Sequence, residues 1–142
     1  MTITELAWAA GIIDGEGCIL VRRTKRPGGG SPIFTLIVSV NMTHRPTVAR
    51  LAEIFHCGGC WANPPRGARR RPMYLWTICT KNARAILRRI RPYLVTKAHQ
   101  ADLAEAFSAL PVWRGRPRGG IPAALVRERE RLYALMRAAK RV

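Results

Sequence analysis

A chain of 142 residues, 48% of them hydrophobic, is long enough to bury one core and fits a single domain over 1–142. Its 25 Lys and Arg against 8 Asp and Glu give a net charge of +17 and a pI near 11.5, which points to a polyanionic partner, nucleic acid ahead of an anionic membrane surface. No charge-free apolar stretch reaches transmembrane length, and with Arg22 as the first basic residue there is no basic n-region of a signal peptide, so the expectation is a soluble intracellular protein, not secreted and without a membrane partner. The charge is unevenly laid: residues 17–101 hold sixteen Lys and Arg and one acid, Glu53, whereas residues 1–16 hold three acids and no base.

Thr2-Ile3-Thr4-Glu5 reads as a capping box, starting a helix near Ile3 that runs to Asp14 and ends at Gly15 and Gly17. Its small residues Ala7, Ala10 and Gly11 fall on one stripe. Asp14 and Glu16 stand at the helix end where the macrodipole disfavours negative charge, so something positive is expected there. Cys18–Thr24 reads as a strand, the Gly/Pro-rich run 27–32 as a turn, and Ile33–Thr43 as the second strand of a hairpin. In that second strand Phe34, Leu36, Val38, Val40 and Met42 form an apolar face, with Thr35, Ser39, Asn41 and Thr43 opposite. A helix from Pro46 to Phe55 follows, with Val48, Leu51, Ala52 and Phe55 at helical spacing and Gly58-Gly59 as its stop. Strands at Cys60–Asn63 and Met73–Thr80 flank a basic loop, and helices are expected at Asn82–Arg91, Lys97–Leu110 and, beyond a basic linker 111–122, Ala123–Lys140. The fold class is α+β, an antiparallel sheet with helices on one side. The four cysteines read as reduced thiols, and Cys57-Gly-Gly-Cys60 supplies only half of a zinc spacing.

Ala9 to Gly17, AAGIIDGEG, resembles the LAGLIDADG motif of homing endonucleases, differing at Ala9, Ile12, Gly15 and Glu16. The element order also resembles that family's αββαββα unit, over a core of about residues 4–110, and RPYLVTKAHQADL (Arg91 to Leu103) resembles its segment with the basic active-site residue. The resemblance implies a sheet shaped as a DNA-binding saddle, a motif helix that packs against its counterpart through Ala7, Ala10, Gly11 and Asp14, and a last acid, Glu16, that binds a divalent metal. Hard oxygen ligands favour Mg²⁺, with Mn²⁺ as substitute, and the Gly15 carbonyl is open as a second ligand. Glu16 in place of Asp carries its carboxylate one methylene further out. Lys97 falls on the family's basic position, where a cation stabilises charge developing on phosphorus, and His44 falls where the family has a polar water-positioning residue. Asp14 is expected to cap or brace the helix end. Since one motif supplies one metal carboxylate, the resemblance implies a homodimer that cuts both strands of a near-palindromic site across the minor groove, leaving short 3′ overhangs.

Eleven strand residues span about 36 Å, close to one duplex turn of about 10 bp, so two subunits would cover about 20 bp. Candidate DNA contacts are Arg22, Arg23, Lys25, Thr35, Ile37, Ser39, Asn41, Arg50, Asn63, Tyr74, Trp76 and Trp61, the last with a place in the core as its alternative, and Arg66, Arg69, Arg70 and Arg71 in the basic loop as phosphate contacts. Arg114, Arg116 and Arg118 in the linker belong with the phosphate contacts. Two rival readings remain open: a non-catalytic nucleic-acid binder on the same fold, either an intron RNA splicing cofactor or a transcription regulator, and a basic ribosome-associated protein.

Overall fold

The computed structural model describes residues 1–65, 67, 70–115 and 120–141. Helix α1 (Ile3–Glu16) opens with the expected capping box: the Thr2 hydroxyl accepts the Glu5 N–H at 3.1 Å, and the Glu5 carboxylate accepts the Thr2 N–H at 2.9 Å. It runs two residues past Asp14 and passes at Gly17 directly into β1 (Gly17–Thr24). A Cβ at Gly17 would lie 2.5 Å from the Ile13 carbonyl oxygen, so a glycine is what lets the strand leave the helix without a linker.

Strand β1 pairs antiparallel with β2 (Ile33–Met42), Gly17 opposite Val40 and Thr24 opposite Ile33. Helix α2 (Arg45–Phe55) carries Pro46 in its first turn, where a missing N–H costs nothing. Next come β3 (Cys60–Asn63) and β4 (Met73–Cys79), then α3 (Thr80–Ile90), a short 3₁₀ turn at Arg91–Tyr93, α4 (Ala98–Ser108) and α5 (Ala123–Ala139). Among the described residues there is one four-stranded antiparallel sheet, in the order β1-β2-β4-β3. The architecture is therefore α+β as expected, with element boundaries shifted by at most two residues.

The core lies on one face of this sheet. Ile19 and Val21 from β1, Leu36, Val38 and Val40 from β2, and Trp76 and Ile78 from β4 meet Ala9, Ala10 and Ile13 of α1, Val48 and Leu51 of α2, Ile86 and Ile90 of α3, and Leu132 and Met136 of α5. The alternate residues, among them Arg22, Thr35, Ser39, Asn41, Trp61 and Asn63, line the opposite face. No helix of the described residues is long and apolar enough to cross a membrane.

Candidate functional site

The two acids at the end of α1 have different surroundings. The Asp14 carboxylate accepts backbone N–H groups of Val95 (2.7 Å), Thr96 (3.2 Å) and Lys97 (2.9 Å), so it fixes the turn that leads into α4. Burial alone would raise its carboxyl, but those three donors and the Lys97 charge hold it below its ordinary 3.8. The Lys97 ammonium donates in turn to the Asp14 carbonyl oxygen at the α1 terminus, which is the positive charge the sequence called for. Asp14, expected at a helix–helix contact, thus spends its carboxylate within the protomer.

Glu16, two residues on, is exposed and takes part in no hydrogen bond or ion pair among the described residues. The other seven of the eight acids are all engaged: Glu5 and Glu53 with Arg50, Asp14 as above, Asp102 with Arg91, Glu105 with Arg84 and Arg88, Glu128 with Arg131, and Glu130 with Arg23. One carboxylate without a partner among the described residues, in a chain of net charge +17, is suited to a hard cation. Gly15 is exposed beside it, and its carbonyl lies in the last turn, beyond the reach of later helical N–H donors. Among the described residues no three His, Cys, Asp or Glu side chains cluster as a complete cage, so further ligands would come from substrate or solvent.

His44 sits at the N-cap of α2, past the same end of β2 that pairs with Gly17, and one ring nitrogen bonds the Thr47 hydroxyl at 2.8 Å. Its second nitrogen remains exposed with the ring. Arg50 is a correction. Its guanidinium bonds Glu5 at 2.9 Å and Glu53 at 3.2 Å, which puts it at the start of α1, about 16 Å of helix away from Glu16, where it ties α2 to α1 and is not near that centre.

The outward sheet face holds Arg22, Thr35, Ser39, Asn41 and Asn63 as expected, with Lys25 exposed in the hairpin. Asn41, Asn63 and Met73 surround a concavity of about 480 Å³ with Arg70 and Arg71. Four candidates are displaced. Trp76 is 0% exposed, stacks on Phe55 at 5.7 Å and donates its indole N–H to the Cys57 carbonyl at 3.0 Å, and Tyr74 shares that core face. Ile37 points outward but is only 7% exposed, set in the middle of the sheet between Leu20 and Cys79. Arg23 turns to the helix side and pairs with Glu130 of α5 at 2.9 Å. Trp61 takes the opposite course, outward and 63% exposed, with its indole resting where a Cβ of Gly59 would be, 2.7 Å from the ring nitrogen. Gly58 is emptied in the same way by Trp76, so the Gly-Gly of the cysteine segment serves two tryptophans. Arg66, Arg69, Arg116 and Arg118 lie outside the described residues.

Along α1 the exposed stripe is Thr4, Ala7, Trp8, Gly11 and Gly15. Ala10, placed on that stripe from the sequence, is 0% exposed inside the protomer core, one position round the helix from Gly11. A Cβ at Gly11 or Gly15 would meet nothing within 4 Å.

No protein-family model and no curated protein matches the sequence. Solved structures do. Homing endonuclease I-CvuI in complex with its target aligns at a TM-score of 0.74 and 18% identity over 96% of this chain and 82% of that one. I-TnaI aligns at 0.64 and 17% over 96% and 93%, and I-SmaMI bound to uncleaved DNA at 0.70 and 18% over 92% of this chain but 44% of that one. This is the LAGLIDADG homing endonuclease fold.

Within the LAGLIDADG fold the motif residues Ala9 to Gly17 span the last part of α1 and its junction with β1. The fold brings Lys97 to the end of that helix, while His44 stays bonded to its own helix, with Glu16 between the motif helix and the sheet. The sequence did not reveal Gly59 as the seat of Trp61; the signal available was a Gly at i−2 from an aromatic on an edge strand.

Proposed function

We propose that this chain is one subunit of a homodimeric, divalent-metal-dependent, site-specific DNA endonuclease that cuts both strands of a long, near-palindromic target. The observation that carries the reading is Glu16: an exposed carboxylate with no partner among the described residues, at a helix end beside Lys97, in a strongly basic chain. Glu16 and the Gly15 carbonyl would hold Mg²⁺, or Mn²⁺ in its place. Such an ion neutralises phosphate charge and lowers the pKa of the attacking water. Lys97, already held at the α1 terminus by the Asp14 brace, contributes positive charge towards a pentacovalent phosphorus, and the exposed imidazole of His44 orients water.

Each protomer has one such carboxylate, so cleavage of two strands calls for a twofold pair. Beside Trp8, the residues Ala7, Gly11 and Gly15 leave a shallow strip along the exposed side of α1, and a helix glycine costs about 1 kcal/mol relative to alanine, which no packing against Gly11 or Gly15 inside the protomer offsets. A second α1 at that stripe accounts for them. The chain's match to less than half of the I-SmaMI chain is in keeping with a two-subunit assembly. The outward sheet face then reads bases through Asn41, Asn63, Ser39 and Arg22, while Arg70 and Arg71 meet phosphate. A purely binding role leaves Glu16, without a partner among the described residues, without a purpose.

Selection of cleaved sites from a randomised duplex library in Mg²⁺ tests this. Recovered sites with twofold symmetry and cleavage abolished by EDTA are expected; binding without Mg²⁺-dependent cleavage would overturn the nuclease reading.

A further inference from the structure

Lys140, the C-cap of α5, places its Nζ 3.1 Å from the Sγ of Cys18. Cys18 is the second residue of β1, opposite Ser39 on the outward face, and it lies two residues after Glu16, about 7 Å along the chain. The position of Lys140 follows from the packing of the whole helix. Glu130 meets Arg23 towards the hairpin end of β1, Leu132 and Met136 are buried in the core, and Lys140 arrives at the inner end. Ten helical residues cover about 15 Å and five strand residues about 17 Å, so α5 runs antiparallel to the edge strand β1 with matched length.

That geometry carries a cation from the helix side to the nucleic-acid side at the end where β1 has none of its own, since Arg22, Arg23 and Lys25 all lie towards the hairpin. A thiol is a weak acceptor, so the ammonium gives up little by exchanging it for a phosphate oxygen. We propose that Lys140 is a phosphate-contacting residue: α5 delivers it beside Glu16, where it grips the DNA backbone next to the bond to be cut. This assigns the C-terminal helix a part in the reaction, and it rests on the endonuclease reading.

The test uses the full chain with Lys140→Ala and Lys140→Arg. Duplex binding is measured against salt, single-turnover cleavage in Mg²⁺, and thermal midpoint as the control for folding. Removing one phosphate contact per subunit should lower the slope of log Kd against log salt by about 1 per protomer. Cleavage should fall about tenfold or more, with Lys140→Arg retaining slope and rate and both variants retaining the thermal midpoint. An unchanged slope for Lys140→Ala overturns the proposal, as does a loss confined to the thermal midpoint, which would make Lys140 a tether for α5. If the wild type binds DNA but cuts nothing, the endonuclease reading fails, while the slope still decides whether Lys140 meets phosphate.

Discussion

Two carboxylates two residues apart at the end of α1 have been given different work by their neighbours. Asp14 is held by three backbone donors, and replacing it with alanine strands those N–H groups in the turn that leads into α4 while releasing Lys97. Asp14→Ala should therefore cost about 2–3 kcal/mol of stability, read as a lower thermal midpoint, and reduce cleavage through misplacement of Lys97. A replacement that leaves both midpoint and rate intact would remove the brace from the account. The sequence showed that something positive must neutralise this helix end, and the motif resemblance gave Lys97 a role towards the phosphate, but not as the partner of that helix end. It could not show that Asp14 would bind the backbone of residues 81 to 83 positions away, because that contact exists only once the turn Val95–Lys97 folds onto the end of α1. Arg50 was misplaced for a similar reason: helical spacing fixes the side of α2 on which it lies, but the nearest acid belongs to another helix.

At the level of elements, α1 separates two neighbouring small residues. Ala10→Leu should overpack the core and lower the midpoint of the protomer, whereas Gly11→Leu should leave the fold standing and abolish self-association, seen as a monomer in sedimentation. If Gly11→Leu still dimerises, the exposed stripe is not the subunit contact. The α3–α4 pair is held by Glu105, whose carboxyl is lowered to about 2 by hydrogen bonds from Arg84 and Arg88. A depressed carboxyl stabilises the fold above its unfolded value of 4.5 and loses that contribution as pH falls towards 2, so the thermal midpoint of Glu105→Gln should fall less than the wild type's across this window. The two faces of strand β2 were legible because its polar and apolar residues alternate. Strand β4 was not: Tyr74, Trp76 and Ile78 are as apolar as Met73 and Leu75, and only pairing with β2 decides which set is inside. That ambiguity put Tyr74 and Trp76 among the candidate contacts, whereas both face the core. The same limit applies to Ile37, an outward residue shielded by neighbours that the strand itself does not contain.

For the whole molecule, a net charge of +17 with most acids already paired leaves a basic field interrupted at one carboxylate. Binding to duplex should consequently weaken about 10³-fold or more between 50 and 200 mM salt if six or more phosphates are contacted, and a flat salt profile would contradict an interface of that kind. That field concentrates polyanion around Glu16, and a cation at Glu16 turns attraction into chemistry. The decisive measurement is single-turnover cleavage of a selected target by Glu16→Gln in Mg²⁺, with binding measured on the same duplex. Cleavage should fall by about 100-fold or more while Kd is unchanged or tighter, since a repulsive charge has gone. Undiminished cleavage would show that the metal is held elsewhere.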